Sequence, residues 1–129
     1  MCHLVSIVLC SYNGEKYVKE QIDSILNQSV PIHELIIQDD CSTDGTVDIL
    51  NQYRSDSRVR IYINKELLGF NANFLSAILK TTGNYIACSD QDDIWKENKV
   101  EELISHIGDN VLIFMIQFCL QKIYLILWG

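Results

Sequence analysis

The order of apolar patterns along this chain is its strongest constraint. Four short, nearly unbroken apolar runs, LVSIVLC (4–10), ELIIQ (34–38), VRIYI (59–63) and YIACS (85–89), alternate with stretches whose apolar residues recur at helical spacing. Runs of that length bounded by turn residues suit strands buried on both faces. The first intervening stretch predicts a helix over 15–27, with Tyr17, Val18, Ile22, Ile25 and Leu26 inward. A second is expected over 46–53, with Val47, Leu50 and Tyr53 inward and Ser42, Thr43 or Asp44 as its cap. A third begins at FNANFLSAILK, where Phe70, Phe74, Ala77 and Ile78 form a stripe, and a fourth covers 97–107, with Val100, Leu103, Ile104 and Ile107 inward. Strict alternation with short connections implies an α/β fold: a doubly wound, mostly parallel sheet with right-handed crossovers. If the strand order is 3-2-1-4, the first, second and fourth strands are neighbours and the order reverses between the first and the fourth.

The pattern breaks at residue 111. VLIFMIQFCLQKIYLILWG is almost wholly apolar, and Gln117, Gln121 and Lys122 interrupt it without a period. It lacks the ~18 uninterrupted apolar residues of a membrane span. One further buried strand is expected there. The expected division is a domain over 1–110 and an atypical hydrophobic tail over 111–129, read as a truncated or out-of-frame end; an association or membrane-contact surface is the alternative.

The formal net charge of -7 argues against a nucleic-acid partner, whose phosphates are bound by Lys and Arg. The five cysteines are odd in number, scattered and without a CxxC pair, so neither a disulfide framework nor a zinc site is indicated. His3, His33 and His106 are isolated. No GxxxxGK[ST] or GxGxxG occurs, which disfavours Walker-type and dinucleotide-type phosphate loops.

In a doubly wound sheet, ligands bind at the carboxyl ends of strands near the point where strand order reverses. Three loops are expected at that edge: SYNG after the first strand, DDCSTDGT after the second and SDQDDIW after the fourth. They bring together Tyr12, the acids Asp39 and Asp40, and the acids Asp90, Asp92 and Asp93. Each also has a plain reading: a turn aromatic, an Asn-Gly turn, a loop with a helix cap, a solvated loop. Their shared edge favours a common crevice. An Asp-x-Asp pair supplies hard oxygen ligands suited to Mg2+ or Mn2+, and an acidic chain that binds a diphosphate needs such a bridge.

These segments, VSIVLCSYNGEKYVKEQIDSILNQSV, ELIIQDDCSTDGTVDIL and NKELLGFNANFLSAILKTTGNYIACSDQDDIWKENKV, resemble the N-terminal, donor-binding half of glycosyltransferase family 2 over about residues 5–107. The resemblance implies a Rossmann-like nucleotide-diphospho-sugar transferase fold, incomplete at the C-terminus, and inverting transfer at the anomeric carbon. By resemblance, Cys10, Ser11 and Tyr12 contact the nucleobase. Asp40, with Asp39 beside it, meets the base or ribose. Asp90 and Asp92 form the DxD motif: Asp90 lies toward the ribose and Asp92 ligates the divalent metal, with Asp93 an extra acid. SDQDDIW is similar to members that build bacterial surface polysaccharides such as lipopolysaccharide or capsule, rhamnosyltransferase-like ones included. The implied donor is a UDP- or dTDP-linked sugar, and the implied acceptor a saccharide or lipid-linked saccharide. The implied location is cytoplasmic, with peripheral contact at the inner face of the plasma membrane left open. The family's general base lies downstream, and no acid follows Asp109 here. The alternative is therefore an inactive remnant that binds only nucleotide and metal. A signalling receiver domain is disfavoured, because its acid pair follows the first strand and here SYNG does.

Overall fold

The structure is a computed structural model, which describes residues 4–90, 93–107, 112–117 and 122–128. Four strands are parallel: β1 (Val5–Ser11), β2 (Glu34–Asp39), β3 (Val59–Ile63) and β4 (Tyr85–Asp90). Among the described residues the sheet has the order β3-β2-β1-β4-β6-β5, so the expected 3-2-1-4 core is present. The apolar tail, expected to add one strand, supplies two: β5 (Leu112–Gln117) and β6 (Lys122–Trp128) pair antiparallel, and β6 pairs antiparallel with β4. Gln117 ends β5 and Lys122 begins β6, but the stretch between them contains no Gly, Pro, Asn or Asp, so the hairpin carries no turn signal in the sequence.

The helices are α1 (Val18–Leu26), α2 (Thr46–Asn51), α3 (Phe70–Ile78) and α4 (Lys99–Ile107). Alternation along each strand explains the unbroken apolar runs. Val5, Ile7, Leu9, Leu35, Ile37, Tyr85 and Ala87 face one layer, built with Val18, Ile22 and Ile25 of α1, Leu50 of α2 and Val100 of α4. Val8, Ile36 and Cys88 face the other, where Ala77, Phe74 and Ile78 of α3 cover them. Each fully buried Leu or Ile contributes roughly 1.5–3 kcal/mol. The split follows from topology. The path β1 to β2 to β3 runs in one direction across the sheet, and right-handed crossovers keep its helices on one face. The return to β4 puts α3 on the opposite face.

Three helix expectations change. Tyr17 is the N-cap of α1 and half exposed, because Gly14 O accepts hydrogen bonds from the N–H groups of both Tyr17 (3.0 Å) and Val18 (2.9 Å) and makes residues 14–17 a turn. Gly45, not Ser42, Thr43 or Asp44, is the N-cap of α2, although the Asp44 carboxylate accepts from the N–H of Thr46 at 2.9 Å. Phe70 is 51% exposed because Asn73 is the residue of the first turn of α3 that meets the sheet: it is buried, and its Nδ2 donates to Gln38 O of β2 at 3.2 Å.

Candidate functional site

Strand order reverses between β1 and β4, and a cavity of about 330 Å3 opens beside that point, at the carboxyl ends of β1 and β2. Cys10, Ser11 and Tyr12 line it at the end of β1, with Asp40 from the end of β2. Leu67, Gly69, Phe70 and Asn73, around the start of α3, complete the lining. The β1–β4 register pairs Cys10 with Asp90, which places Asp90 in the strand beside the cavity. Asp92 lies outside the described residues. Asp93 is buried and is not part of the lining.

The SYNG and DDCSTDGT loops are joined by a reciprocal set of hydrogen bonds. The N–H of Asn13 donates to Ser42 Oγ (2.9 Å), and the N–H of Thr43 donates to Asn13 Oδ1 (2.8 Å). The N–H of Gly14 donates to Thr46 Oγ1 (2.9 Å), and the N–H of Gly45 donates to Glu15 Oε2 (2.8 Å). Asn13 and Cys41 both have positive φ, 48° and 60°, which turns each loop sharply enough to meet the other. The small polar residues that read as generic turn formers thus act as cross-loop partners.

The two adjacent acids at the end of β2, Asp39 within it and Asp40 just past it, have different surroundings. Asp39 is fully buried and faces away from the cavity. It accepts hydrogen bonds from Ser11 Oγ (2.7 Å), Ser42 Oγ (2.6 Å) and the N–H of Ser42 (2.9 Å), fixing the DDCSTDGT loop on β1. Asp40 faces the cavity. Its Oδ1 accepts from the N–H of Leu68 (2.8 Å) and from Asn64 Nδ2 (3.0 Å), and its Oδ2 from the N–H of Gly69 (3.0 Å). Burial works to raise the pKa of Asp40. The hydrogen bonds from Leu68, Asn64 and Gly69 outweigh burial and hold the carboxyl below its usual range.

Residues 64–70 are anchored a second time from beneath. Asn64 Nδ2 also donates to Asn73 Oδ1 (2.6 Å), and Gln38 Nε2 donates to Asn64 Oδ1 (2.9 Å) and Ser76 Oγ (3.0 Å). Lys80 Nζ donates to Gln38 Oε1 (2.9 Å). On the other side, α1 holds the chain around β4: Gln21 Nε2 donates to Ser89 Oγ (2.6 Å), and the N–H of Trp95 to Ser24 Oγ (3.0 Å).

Of the residues expected at the site, Cys10, Ser11, Tyr12 and Asp40 share the cavity, Asp39 braces it from behind, and Asp90 sits at its edge. Leu67, Gly69, Phe70 and Asn73 were not expected. Phe70 fitted the core stripe of α3, and the sole local hint was Gly69, whose φ of 87° with ψ of 163° is a conformation nearly confined to glycine. Among the described residues no group of three His, Cys, Asp or Glu side chains could hold a metal ion. The Asp90–Asp92 pair has the right donor chemistry for a hard divalent cation that completes its coordination with phosphate oxygens.

A parallel α/β sheet with its cavity at the strand-order reversal defines a doubly wound ligand-binding domain. The chain belongs to glycosyl transferase family 2, whose family model matches residues 6–124, past the limit of the resemblance read from sequence. It is 39% identical over 112 residues to TuaG of Bacillus subtilis (strain 168), a glycosyltransferase by name, tied to teichuronic acid biosynthesis; the match covers 86% of this chain and 44% of TuaG. It is 37% identical over 113 residues to the Escherichia coli UDP-Glc:alpha-D-GlcNAc-diphosphoundecaprenol beta-1,3-glucosyltransferase WfgD, covering 88% of this chain and 44% of WfgD. The chain thus spans less than half the length of these relatives. Its fold is shared with Staphylococcus aureus TarS solved with UDP-GlcNAc, at a TM-score of 0.76 and 24% identity, covering 86% of this chain and 33% of that one. It is shared also with the mannosyltransferase PcManGT from Pyrobaculum calidifontis solved with GDP-Man and Mn2+, at a TM-score of 0.77 and 22% identity, covering 84% and 33%.

Proposed function

We propose that this chain forms the donor-binding half of a transferase that moves a sugar from a nucleotide diphosphate to a saccharide or lipid-linked acceptor in bacterial surface polysaccharide synthesis. The observation that carries the proposal is the cavity at the carboxyl ends of β1 and β2, next to the strand-order reversal, with Tyr12 and Asp40 in its wall and Asp90 paired in register with Cys10 of β1. In this reading Cys10, Ser11 and Tyr12 receive the nucleobase and the Asp90–Asp92 edge receives the diphosphate. Mg2+ or Mn2+ held by Asp92 and Asp90 would offset charge on the departing diphosphate. The structural neighbours solved with UDP-GlcNAc and with GDP-Man and Mn2+ support both assignments at the level of fold.

The sequence resemblance of SDQDDIW favours a rhamnosyl donor, whereas the name of WfgD specifies UDP-Glc. UDP-glucose and dTDP-rhamnose are therefore the donors to compare. The diphosphoundecaprenol in that same name supports a lipid-linked acceptor, and with it a cytoplasmic protein working at the inner face of the plasma membrane. No helix among the described residues is long and apolar enough to cross a membrane.

A second reading, nucleotide and metal binding without transfer by this polypeptide, is favoured by one observation. Inverting transfer needs a base to take the acceptor's hydroxyl proton. Asp40 is the one acid among the described residues that lines the cavity, and its lowered pKa makes it a weak base. Calorimetric titration of the purified chain with UDP, dTDP and GDP, with and without Mn2+, tests the donor site. A parallel transfer assay with UDP-glucose, dTDP-rhamnose and a diphosphoundecaprenol-linked acceptor separates the two readings. Metal-dependent nucleotide binding is expected. Failure to bind any of the three nucleotides removes the donor-site reading, and robust transfer by the isolated chain removes the second one.

A further inference from the structure

Half of the cavity lining comes from residues the sequence did not mark. Leu67, Gly69, Phe70 and Asn73 belong to the segment that leaves β3 and enters α3, and neither element contributes another residue to the lining. Leu67 is 62% exposed and Phe70 51% exposed, so neither is spent on the core. Phe70 stacks on Phe74 at 6.0 Å between ring centroids with 19° between planes, and Phe74 packs against the α3 side of the sheet. One ring is thus held in the cavity by another that is fixed to the core.

The segment reaches this position through a latch. The Asp40 carboxylate takes the N–H groups of Leu68 and Gly69 and the amide of Asn64. Asn64 is not part of the cavity lining, yet its side chain joins Asp40 to Asn73 and Gln38. A carboxylate with three protein donors has given up most of its accepting capacity to the segment.

Resting on the donor-binding reading above, we propose that residues 64–70 form a second wall of the nucleobase slot, with Phe70 and Leu67 as its contact surface. Asp40 and Asn64 act as positioning residues that set this wall relative to Tyr12. An aromatic face and an aliphatic side chain on one segment, sharing a cavity with a tyrosine on another, make an apolar slot suited to a flat, neutral, aromatic ligand part. The charged diphosphate would leave that slot toward Asp90. Base preference would then be set by the wall as well as by the β1 loop, and a change in residues 67–70 would alter it without touching Cys10, Ser11 or Tyr12.

The test uses the full chain and two probes in Mn2+: UDP, and inorganic diphosphate, which has no base. Four proteins are compared by calorimetry, wild type, Phe70→Ala, Asn64→Ala and the double variant, with circular dichroism confirming that each is folded. Phe70→Ala is expected to weaken UDP about tenfold, the order of one lost base-stacking partner, and to leave diphosphate affinity unchanged. Asn64→Ala is expected to weaken UDP about three- to tenfold, again without effect on diphosphate, although its side chain does not line the cavity. If Asn64 works through the wall, the double variant loses little more than Phe70→Ala alone. Unchanged UDP affinity in both single variants, equal losses for the two probes, or fully additive losses would each overturn the proposal. A wild-type chain that binds no nucleoside diphosphate would instead overturn the donor-binding reading and this inference with it.

Discussion

The two ends of the parallel sheet bury carboxylates in opposite ways. At the amino end, Glu34 is buried, accepts from Ser6 Oγ (2.7 Å) and from the N–H (2.6 Å) and Oγ1 (3.0 Å) of Thr82, and is neutralised by an ion pair with Arg60. Gly83 closes that end: its N–H donates to Ser6 Oγ at 2.8 Å, and a Cβ there would meet Leu4 O and Ser6 Oγ at 2.5 Å. At the carboxyl end, Asp39 and Asp40 are as deeply buried but accept from hydroxyls, amides and backbone N–H groups, and among the described residues no ion pair engages either. One end is filled and charge-balanced by its own arginine. The other keeps a cavity and, among the described residues, two buried carboxylates with no ion pair. Buried acids alone do not mark a site; an open cavity and the absence of an internal counter-charge among the described residues separate the two.

That contrast can be broken by substitution. Glu34→Ala is expected to have the largest effect on stability, about 3 kcal/mol, because it strands the fully buried Ser6 hydroxyl and the N–H of Thr82 and leaves Arg60 unpaired. Denaturant unfolding checks this, and nucleotide affinity per folded molecule should not change. Asp40→Ala should cost less, about 2 kcal/mol for its three lost hydrogen bonds, yet should weaken UDP binding about tenfold, as loss of the wall it positions requires. Equal behaviour of the two variants in both assays would erase the distinction between a structural end and a functional one.

Acid sharpens the comparison. At Glu34 burial works to raise the pKa, and the hydrogen bonds from Ser6, Thr82 and Arg60 outweigh it, so the net shift is downward from 4.5; Asp40 is likewise shifted downward from 3.8. The unfolded chain therefore takes up protons first as pH falls. The stability these groups supply is complete above their unfolded values and is lost as pH drops through the lower folded values. Thermal melts between pH 7 and 3 should show this loss, and Glu34→Ala should flatten it. Lys19→Ala should have the smallest effect: its pair with Asp23 at 2.9 Å is on the surface, and no measurable change in melting temperature is expected.

Much of this contrast was legible in the sequence and some was not. The parallel strands themselves followed from their unbroken apolar runs, since a strand covered on both faces has no polar residue to spare; their order across the sheet is set by tertiary pairing that no single run encodes. The edge that gathers Tyr12, Asp40 and Asp90 followed from the same topology, because every strand of a parallel sheet ends on that side. The difference between Asp39 and Asp40 was not legible: the two are identical in type, and β2 ends between them, so one closes the strand and the other opens the loop. The 64–70 segment was hidden for another reason. Its link to Asp40 spans 28 residues in sequence for Leu68, and Phe70 has the spacing of a core residue. In the first turn of α3 it is Asn73 that meets β2, which leaves the Phe70 ring to the cavity. The hairpin of β5 and β6 is not legible because its three polar interruptions, Gln117, Gln121 and Lys122, have no period and no turn-forming residue lies among them.

The central claim is that the carboxyl edge between β1 and β4 binds a nucleoside diphosphate through a divalent cation. The most direct measurement is calorimetric titration of UDP into the wild-type chain and into an Asp90→Asn/Asp92→Asn variant, each in Mn2+ and again in EDTA. The account predicts binding by wild type in Mn2+, a loss of at least tenfold in EDTA, and no further loss on adding EDTA to the double variant, which should already be weak. UDP binding of equal strength in all four titrations would contradict it.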